Sequence, residues 1–263
     1  MNNERRGEIY RKVMELCHQN LLKDDKTMQY LLKNRCMTEE SINRFQLGLF
    51  PQDLRQLFKI EDPKDLREAD IINTSSYSRF KTQDLVMPVR DVYGNFIAIA
   101  GRTRLSEEER QKRRIDKYKN SIYKKSHHLF GLNFAKRSIL REDKVYVVEG
   151  YFDVITPQQN GLTNVVAVCG TYLSTRHAVL LSRYTKNIVL VFDNEEDAQQ
   201  RAKATIDKKQ FNGISISAIN PFPNGVKDID DYFRDYPASD VIRSLKKGKS
   251  GDLFESWINK SEP

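Results

Sequence analysis

The feature that most constrains the fold is a regular alternation of short apolar runs and helical segments between residues 145 and 219. The runs are rich in β-branched and aromatic residues, which favour strands that are buried in a sheet. The predicted elements, alternately strand and helix, are Val145–Val148, Asp153–Asn160, Asn164–Val168, Ser174–Ser182, Ile188–Phe192, Glu196–Lys209 and Ile214–Ile219. Because strands that are connected through helices run in the same direction, we predict a parallel sheet in this half of the chain.

Acidic residues follow several of these predicted strands. Glu149 comes directly after the first strand, Asp193 follows a later one, and an acidic group that begins at Asp228 follows the last. Open parallel sheets bind ligands at the carboxyl ends of their strands, and carboxylates that gather there repel each other unless a cation lies among them. Hard oxygen ligands suit Mg²⁺ or Mn²⁺. The candidate ligands are Glu149, Asp153, Asp193, Glu195, Asp228 and Asp230.

The same carboxylates have a plainer interpretation, which the sequence leaves open. Glu149, Asp193 and Asp228 stand where helix N-caps occur, and such a cap needs no ligand. Asp153 would lie in the first turn of its own helix, where it could cap the helix or form a salt bridge.

The composition limits the partners and the compartment. The net charge of +8 favours a polyanionic partner, although many basic proteins bind none. Zinc is not expected, because Cys17, Cys36 and Cys169 form no Cys-x-x-Cys pair and have no histidine at ligand spacing. The sparse cysteines favour the cytoplasm. Neither export nor a membrane span is expected, because the sequence has no signal-peptide pattern and no apolar run of about 18 residues.

The first half of the chain begins with helical periodicity over residues 4–34 and then changes character. Two extended runs, Asp84–Asp91 and Phe96–Arg102, are joined by a turn that contains Gly94, and together they predict a β-hairpin. Gly101 would let another segment come close to the backbone of the second strand.

Basic residues surround this hairpin and continue beyond it. Residues 105–126 are so basic that we predict a mobile loop, and a solvated charged face is the ordinary explanation of such a run. Its aromatic and polar side chains add the stacking and hydrogen-bonding groups that single strands use. The candidate nucleic-acid or nucleotide contacts are Arg79, Arg90, Arg102, Lys117, Tyr118 and Asn120. Arg79 and Arg90 could equally pair with surface acids.

Taken together, these residues resemble a known family. The segment Glu149-Gly-Tyr-Phe-Asp153, the acidic pair Asp193 and Glu195, and the later Asp228-x-Asp230 resemble a TOPRIM domain. The preceding half is similar, in order and spacing, to the RNA-polymerase core of bacterial DnaG-type DNA primases. The motifs that carry this similarity are Phe80, Met87–Asp91, Gly94, Ala100–Arg102, Lys117–Ser121 and Leu129–Leu132, and the resemblance covers roughly residues 28–235.

The resemblance implies an α/β fold in three parts. A mixed α+β N-terminal subdomain would occupy residues 1–140, with helices, the β-hairpin and the basic loop. A TOPRIM-like parallel-sheet domain would occupy residues 141–236, and a short helical tail would occupy residues 237–263.

The resemblance also implies a function, which is the synthesis of short RNA primers on single-stranded DNA from ribonucleoside triphosphates. Glu149 would help to assemble the metal site and activate the 3′-hydroxyl of the primer. Asp193, Glu195, Asp228 and Asp230 would hold Mg²⁺ or Mn²⁺, with Asp153 in support. Arg79, Arg90, Arg102 and Lys117 would bind template or nucleotide phosphates, together with Tyr118 and Asn120. A replicative helicase or another replication protein is a possible further partner.

The sequence departs from the family pattern in three ways. Where the family has Asp-x-Asp followed by Ala-Gly, this chain has Glu195, whose side chain is longer by a methylene, and then Asp197 and Ala198. The zinc-binding module and the helicase-binding module of the family have no counterpart in the printed sequence. We therefore expect a minimal catalytic core, either of the kind that a phage or mobile element would carry or one trimmed from a longer protein.

Two other functions remain open at this point. TOPRIM domains also occur in nucleases, and the altered acidic motif would suit a catalytically degenerate accessory protein that binds single-stranded DNA. The hairpin and the Lys117–Ser121 segment favour a primase, because those nucleases lack them.

Overall fold

The structure is a computed structural model that describes residues 1–73, 78–207 and 213–248. The chain divides into two compact units, Met1–Tyr123 and a second unit from Lys124 onwards. The domain boundaries proposed at residues 140 and 236 stay predictions. Of the predicted helical tail, the part from residue 249 onwards lies outside the described residues, as do the last two residues of the helix predicted to end at Lys209.

The first unit begins with helix α1, Asn3–Leu22, which starts where Asn2 accepts a hydrogen bond from the backbone of Arg5 at 2.8 Å. The buried face of α1 carries Ile9, Val13 and Cys17 into a core that includes residues of the following sheet. The later helices of this unit are α2 (Asp25–Gln29), a π-helical turn (Tyr30–Asn34), α3 (Glu39–Phe45), α4 (Arg55–Phe58) and α5 (Pro63–Glu68). Thr38 caps α3 with its side chain, which accepts from the backbone of Ser41 at 3.1 Å.

An antiparallel sheet follows, with its strands in the order β1-β2-β3-β4. The strands are β1 (Gly48–Leu49), β2 (Leu85–Arg90), β3 (Phe96–Arg102) and β4 (Tyr118–Asn120). The predicted hairpin of β2 and β3 is confirmed. The carboxylate of Asp91 closes its turn, because it accepts hydrogen bonds from the backbone of Tyr93 and Asn95, both at 2.9 Å.

The prediction of a loop over residues 105–126 is wrong for much of that segment. It contains helix α6 (Glu107–Arg113), strand β4 and a 3₁₀ turn (Lys125–His127). Ser106 and Glu109 form a capping box at the start of α6. Acidic residues lie in the first turn and basic ones in the last, which complements the helix dipole. The order of the charges, rather than their number, therefore makes this segment a helix.

The second unit contains a parallel sheet in the order β6-β5-β7-β8, and the predicted α/β fold class is confirmed. Its elements are α7 (Leu132–Glu142), β5 (Val145–Val148), α8 (Phe152–Gln159), β6 (Val165–Ala167), α9 (Thr175–Leu181), β7 (Asn187–Leu190), α10 (Glu196–Asp207), β8 (Ser215–Ala218), α11 (Ile229–Asp235) and α12 (Ala238–Lys247). Every residue of β5 is buried, as expected of a central strand. Among the described residues, no helix has both the length and the apolar character that crossing a membrane requires.

The close approach predicted at Gly101 allows a test of the hairpin. A Cβ atom at this position would lie 2.3 Å from the carbonyl oxygen of Gln83 and 2.5 Å from Cδ1 of Phe80. We expect Gly101→Ala to lower the free energy of unfolding by about 2 kcal/mol, because backbone and ring must move apart. Chemical denaturation measures this change.

Gly170→Ala is the matched control for this experiment. The nearest heavy atom to a Cβ at Gly170 is 3.7 Å away, which is an ordinary contact. Its stability should remain within about 0.5 kcal/mol of the parent. Equal stabilities of the parent and Gly101→Ala would contradict the packing described here.

Candidate metal centre and basic surface

Glu149 lies at the carboxyl end of the central strand β5, with its side chain 17% exposed. Its carboxylate accepts a hydrogen bond from the backbone N–H of Asp193. Nη2 of Arg201, on α10, lies 3.3 Å from both carboxylate oxygens. Burial raises the pKa of Glu149, against the opposing effect of Arg201 and the Asp193 N–H, and the charge of Glu195 raises it further. A further cation near Glu149 would stabilise the charged form of its carboxylate, which burial disfavours.

The turn after β7 carries Asp193 and Glu195, and Asn194 ties this turn to a second acidic segment. The backbone N–H of Asn194 donates to the carbonyl oxygen of Lys227 at 2.6 Å. Its side-chain amide donates to the carbonyl oxygen of Val226 at 3.0 Å and accepts from Asn220 at 2.9 Å. These hydrogen bonds hold the residues on either side of Asn194 against the segment that leads into Asp228.

Lys227 extends a cation into this group of carboxylates. Its Nζ lies 2.7 Å from Oε1 of Glu195, and both side chains are about half exposed. The hydrogen bond with Glu195 and the charges of Glu195, Asp193 and Asp228 raise the pKa of Lys227. The ammonium group is therefore charged at neutral pH and is attracted by carboxylates from two segments of the chain.

The third acidic segment lies at the start of α11. Oδ1 of Asp228 caps this helix by accepting from the backbone of Asp231 at 2.8 Å, so the predicted capping role is real and uses one of its two oxygens. Carboxylate oxygens of Asp228, Asp230 and Asp231 lie within 4.8 Å of one another. Such a spacing allows them to share a cation.

Asp230 has hydrogen-bond and ionic partners in addition to its place in this acidic group. Its side chain is 4% exposed, accepts from Oγ1 of Thr156 on α8 at 2.5 Å, and lies 3.6 Å from Nε of Arg234. These contacts join α11 to α8. We therefore interpret Asp230 mainly as a residue that fixes the position of Asp228.

Asp153 shapes the turn that follows Glu149. It is 8% exposed, and its Oδ2 accepts from the backbone of Gly150 at 2.8 Å. A Cβ at Gly150 would lie 2.6 Å from that oxygen, so a larger residue there would displace the Asp153 carboxylate. The supporting role predicted for Asp153 is consistent with this contact.

Hydrogen bonds and charge interactions thus place Glu149, the Asp193–Glu195 turn and Asp228 near one another at the carboxyl edge of the parallel sheet. Among the described residues, the group of carboxylates whose oxygens come within 4.8 Å of one another is Asp228, Asp230 and Asp231. The side-chain atoms that could bind a metal are all carboxylate oxygens, which fit a hard divalent cation such as Mg²⁺ or Mn²⁺. Their N-cap interpretation accounts for one oxygen of Asp228 and leaves the convergence of the segments unexplained. The donor chemistry therefore fits a divalent metal centre.

A basic and aromatic cluster lies on β3 and β4 of the first unit. The strand pairing places Arg102 opposite Tyr118. The guanidinium carbon of Arg102 lies 5.6 Å from the centre of the Tyr118 ring, and its Nη1 donates to the hydroxyl at 3.2 Å. Lys117 is exposed, and its Nζ lies 5.9 Å from the same ring. An aromatic ring with two cations over it combines the stacking and charged groups that single-stranded nucleic acid uses.

Arg79 joins this cluster, whereas Arg90 does not. Nε of Arg79 donates to the carbonyl oxygen of Asn120 and Nη1 to Asp70, each at 2.7 Å, so Arg79 has the acidic partner that we considered. Arg90 lies opposite Phe96, at the turn end of the hairpin, while Arg102 is at the other end. Its guanidinium carbon lies 4.5 Å from the Phe96 ring centre.

The sequence motifs did not point to three residues that organise the metal centre. Lys227 stands inside the acidic segment, and its position next to Asp228 was the available signal. Asn194 lies between two candidate ligands, but an asparagine in a turn has many ordinary explanations. Arg201 is one of several basic residues on or near α10, and only the packing of that helix selects it.

Comparisons with known proteins agree with this architecture. Residues 16–136 match the family model of the DNA primase catalytic core, N-terminal domain, and residues 146–233 match a Toprim-like model. The DNA primase of Synechococcus elongatus is 32% identical over an alignment 273 residues long, which covers 97% of this chain and 38% of that protein. The chain thus spans well under two thirds of the curated relatives that it matches.

Several solved structures are similar to the chain, and two of them illustrate the likeness. A crystal structure of the Aquifex aeolicus primase, with its zinc-binding and RNA polymerase domains, has a TM-score of 0.81 and 27% identity and covers 99% of this chain and 65% of that one. A DnaG primase catalytic domain bound to single-stranded DNA has a TM-score of 0.79 and 24% identity, over 99% of this chain and 86% of that one, and shows likeness of fold.

The role of Asn194 can be tested by removing its side chain. We expect Asn194→Ala to lower the free energy of unfolding by about 1 kcal/mol, because hydrogen bonds to Val226 and Asn220 are lost. It should also weaken Mn²⁺ binding about tenfold, because only the backbone hydrogen bond to Lys227 then holds the two acidic segments together. Denaturation and Mn²⁺ titration measure the two effects.

Asn160→Ala is the matched control. Asn160 also donates a hydrogen bond, to the carbonyl oxygen of Thr156 at 2.9 Å, but within a single helix end. It should lose similar stability and keep the parental Mn²⁺ affinity. The same Mn²⁺ affinity in both variants would show that Asn194 does not organise the centre.

Proposed function

We propose a function from the premise that this chain belongs to the family of DnaG-type DNA primases. We infer that it synthesises short RNA primers on a single-stranded DNA template from ribonucleoside triphosphates. Because the chain spans only part of its relatives' length, the activity, substrates and partners are proposals. The observation that carries them is that hydrogen bonds hold the Asp193–Glu195 turn against the segment before Asp228 and against Glu149, at the carboxyl edge of the parallel sheet.

The reaction would be a nucleotidyl transfer. The 3′-oxygen of the growing primer forms a bond to the α-phosphorus of the incoming triphosphate, the bond to the β-phosphate breaks, and pyrophosphate leaves. Phosphoryl transfer depends mainly on positioning and charge neutralisation, which bound divalent ions supply. The chain's own contribution is a set of carboxylates in fixed positions.

Different carboxylates of the centre would have different roles. Glu149, Asp193, Glu195 and Asp228 would hold the divalent ions, with Mg²⁺ or Mn²⁺ as the candidates. Glu149 would also help to activate the 3′-hydroxyl, as the family resemblance implies. Asp153 and Asp230 would fix the turn and the helix on which these ligands depend.

The template would contact the cluster around Tyr118. Its ring offers a stacking face, and Arg102 and Lys117 offer charges for phosphates. A DnaG catalytic domain of similar fold binds single-stranded DNA, and the net charge of +8 here favours the same partner. Arg79, Arg90 and Asn120 stay predicted contacts. A replicative helicase as a partner and a cytoplasmic location also stay proposals.

One observation favours a second function, the binding of DNA without catalysis. Glu149 and Glu195 each have a cationic side chain beside them, Arg201 and Lys227, at distances of 3.3 and 2.7 Å. A site whose carboxylates are neutralised from within the chain could lack bound metal. The primase proposal requires that divalent ions overcome this competition.

A single assay separates the candidate functions. The chain is incubated with single-stranded DNA, labelled ribonucleotides and either Mg²⁺ or Mn²⁺. Short labelled oligomers indicate a primase, shortened template indicates a nuclease, and a mobility shift with neither product indicates a binding protein.

The catalytic assignment predicts the behaviour of Glu149→Gln. Primer synthesis should fall on the order of a thousandfold, because the loss of a ligand removes several kcal/mol of charge stabilisation. The affinity for single-stranded DNA should be unchanged, because Lys117, Arg102 and Tyr118 are untouched. Product gels and fluorescence anisotropy measure the two quantities.

Glu142→Gln is the matched control. Glu142 is exposed at the end of α7, before β5 begins, and pairs with Arg141. It should make primers at the parental rate. Primer synthesis by Glu149→Gln at that same rate would refute the assignment.

A further inference from the structure

We propose that Lys227 is an exchangeable cation of the metal centre, a proposal that rests on the proposed function. In the free protein, its ammonium group neutralises Glu195. When metal and nucleotide bind, the ammonium group moves to a phosphate of the incoming triphosphate. Lys227 would thereby weaken the binding of a divalent ion alone and strengthen the binding of the nucleotide. The divalent ion and the triphosphate would therefore bind to the centre cooperatively.

Two hydrogen bonds from Asn194 hold the backbone at Val226 and Lys227 beside the Asp193–Glu195 turn. The carbonyl oxygen of Lys227 accepts the 2.6 Å hydrogen bond from Asn194, the residue between Asp193 and Glu195. The carbonyl oxygen of the preceding Val226 accepts from the side chain of Asn194 at 3.0 Å. The side chain of Lys227 therefore always starts from a point beside the acidic turn.

The ammonium group, in contrast, can move. The side chains of Lys227 and Glu195 are 49% and 55% exposed, and ion pairs with such exposure contribute little to stability. A lysine is a point charge on a flexible stem, so its head group can exchange one anionic partner for another at small cost. The pair is thus suited to being opened.

The second cation of the centre differs from Lys227 in this respect. Arg201 approaches both oxygens of Glu149, and its side chain and that of Glu149 are 34% and 17% exposed. Opening this pair would leave a largely buried carboxylate without its guanidinium. We therefore assign the exchange to Lys227 rather than to Arg201.

Electrostatics gives the direction and the size of the effect. A single positive charge about 5 Å from a divalent ion in a water-like medium opposes its binding about tenfold. The same charge beside a triphosphate attracts it by a similar factor. The presence of Lys227 should therefore make metal and nucleotide binding mutually dependent, and reciprocity requires each to strengthen the other equally.

The test titrates Mn²⁺ into the protein and follows free Mn²⁺ by electron paramagnetic resonance, without nucleotide. Lys227→Gln should bind Mn²⁺ about tenfold more tightly than the parent. Lys227→Arg keeps the charge and should stay within about threefold of the parent. A second titration with ATP in saturating Mg²⁺ should show weaker binding by Lys227→Gln, by about tenfold.

Lys186→Gln is the matched control. Lys186 is exposed and directly precedes β7, so it lies at the opposite edge of the sheet from Asp193. It should keep the parental affinities for Mn²⁺ and ATP. Unfolding curves for all variants exclude a general loss of structure as the cause.

The results distinguish this inference from the proposed function. Unchanged or weaker Mn²⁺ binding by Lys227→Gln, in a protein whose parent binds Mn²⁺ and makes primers, would overturn the exchange and leave the primase intact. Tighter Mn²⁺ binding without weaker ATP binding would also overturn the exchange. A parent that neither binds Mn²⁺ nor makes primers would refute the proposed function itself.

Discussion

The hydrogen bonds of Asn194 are the constraint on which the rest of the centre depends. Negative side chains from separate segments repel each other, so their convergence must be enforced by contacts that carry no charge. Asn194 provides such contacts, because its backbone and side chain join the turn after β7 to the segment before Asp228. On the other side, Glu149 accepts the backbone N–H of Asp193, which brings the end of β5 into the same group.

The parallel sheet explains why these segments meet at all. In the strand order β6-β5-β7-β8, β5 and β7 are neighbours and run in the same direction. Residues just beyond their carboxyl ends must therefore be close to each other. Asp153 and Asp230 complete the arrangement from α8 and α11, where they fix a tight turn and the packing of two helices. The carboxylates thus divide into those proposed to hold divalent ions and those that hold the scaffold.

Much of the fold could be predicted from the sequence, and the failures have physical reasons. The alternation of apolar runs predicted the strands of the second unit to within a few residues, because buried strands have a strong compositional signal. The segment over residues 105–126 was misassigned because its charge was counted without regard to its order, which places glutamates at the start of α6 and basic residues at its end. Helix caps and the charges of the first and last turns are weak predictors of a helix, because each depends on the position of one side chain.

The carboxylates of the candidate site could be predicted from the sequence, but the basic residues that contact them could not. The acidic residues follow strand ends, a place that topology alone identifies. Arg201 and Lys227 are two among many basic residues, and which of them reaches a carboxylate depends on helix packing and on the Asn194 hydrogen bonds. The same limit applies to Arg79 and Arg90, since only strand register separates the arginine that joins the Tyr118 cluster from the one at the turn end of the hairpin.

The most direct test of the central claim is anomalous X-ray diffraction from crystals of this chain soaked in Mn²⁺. The account predicts an anomalous peak at the carboxyl edge of the parallel sheet, within bonding distance of carboxylate oxygens from Glu149, the Asp193–Glu195 turn and Asp228. A peak bound by only one of these segments, or none at this edge at saturating Mn²⁺, would contradict it.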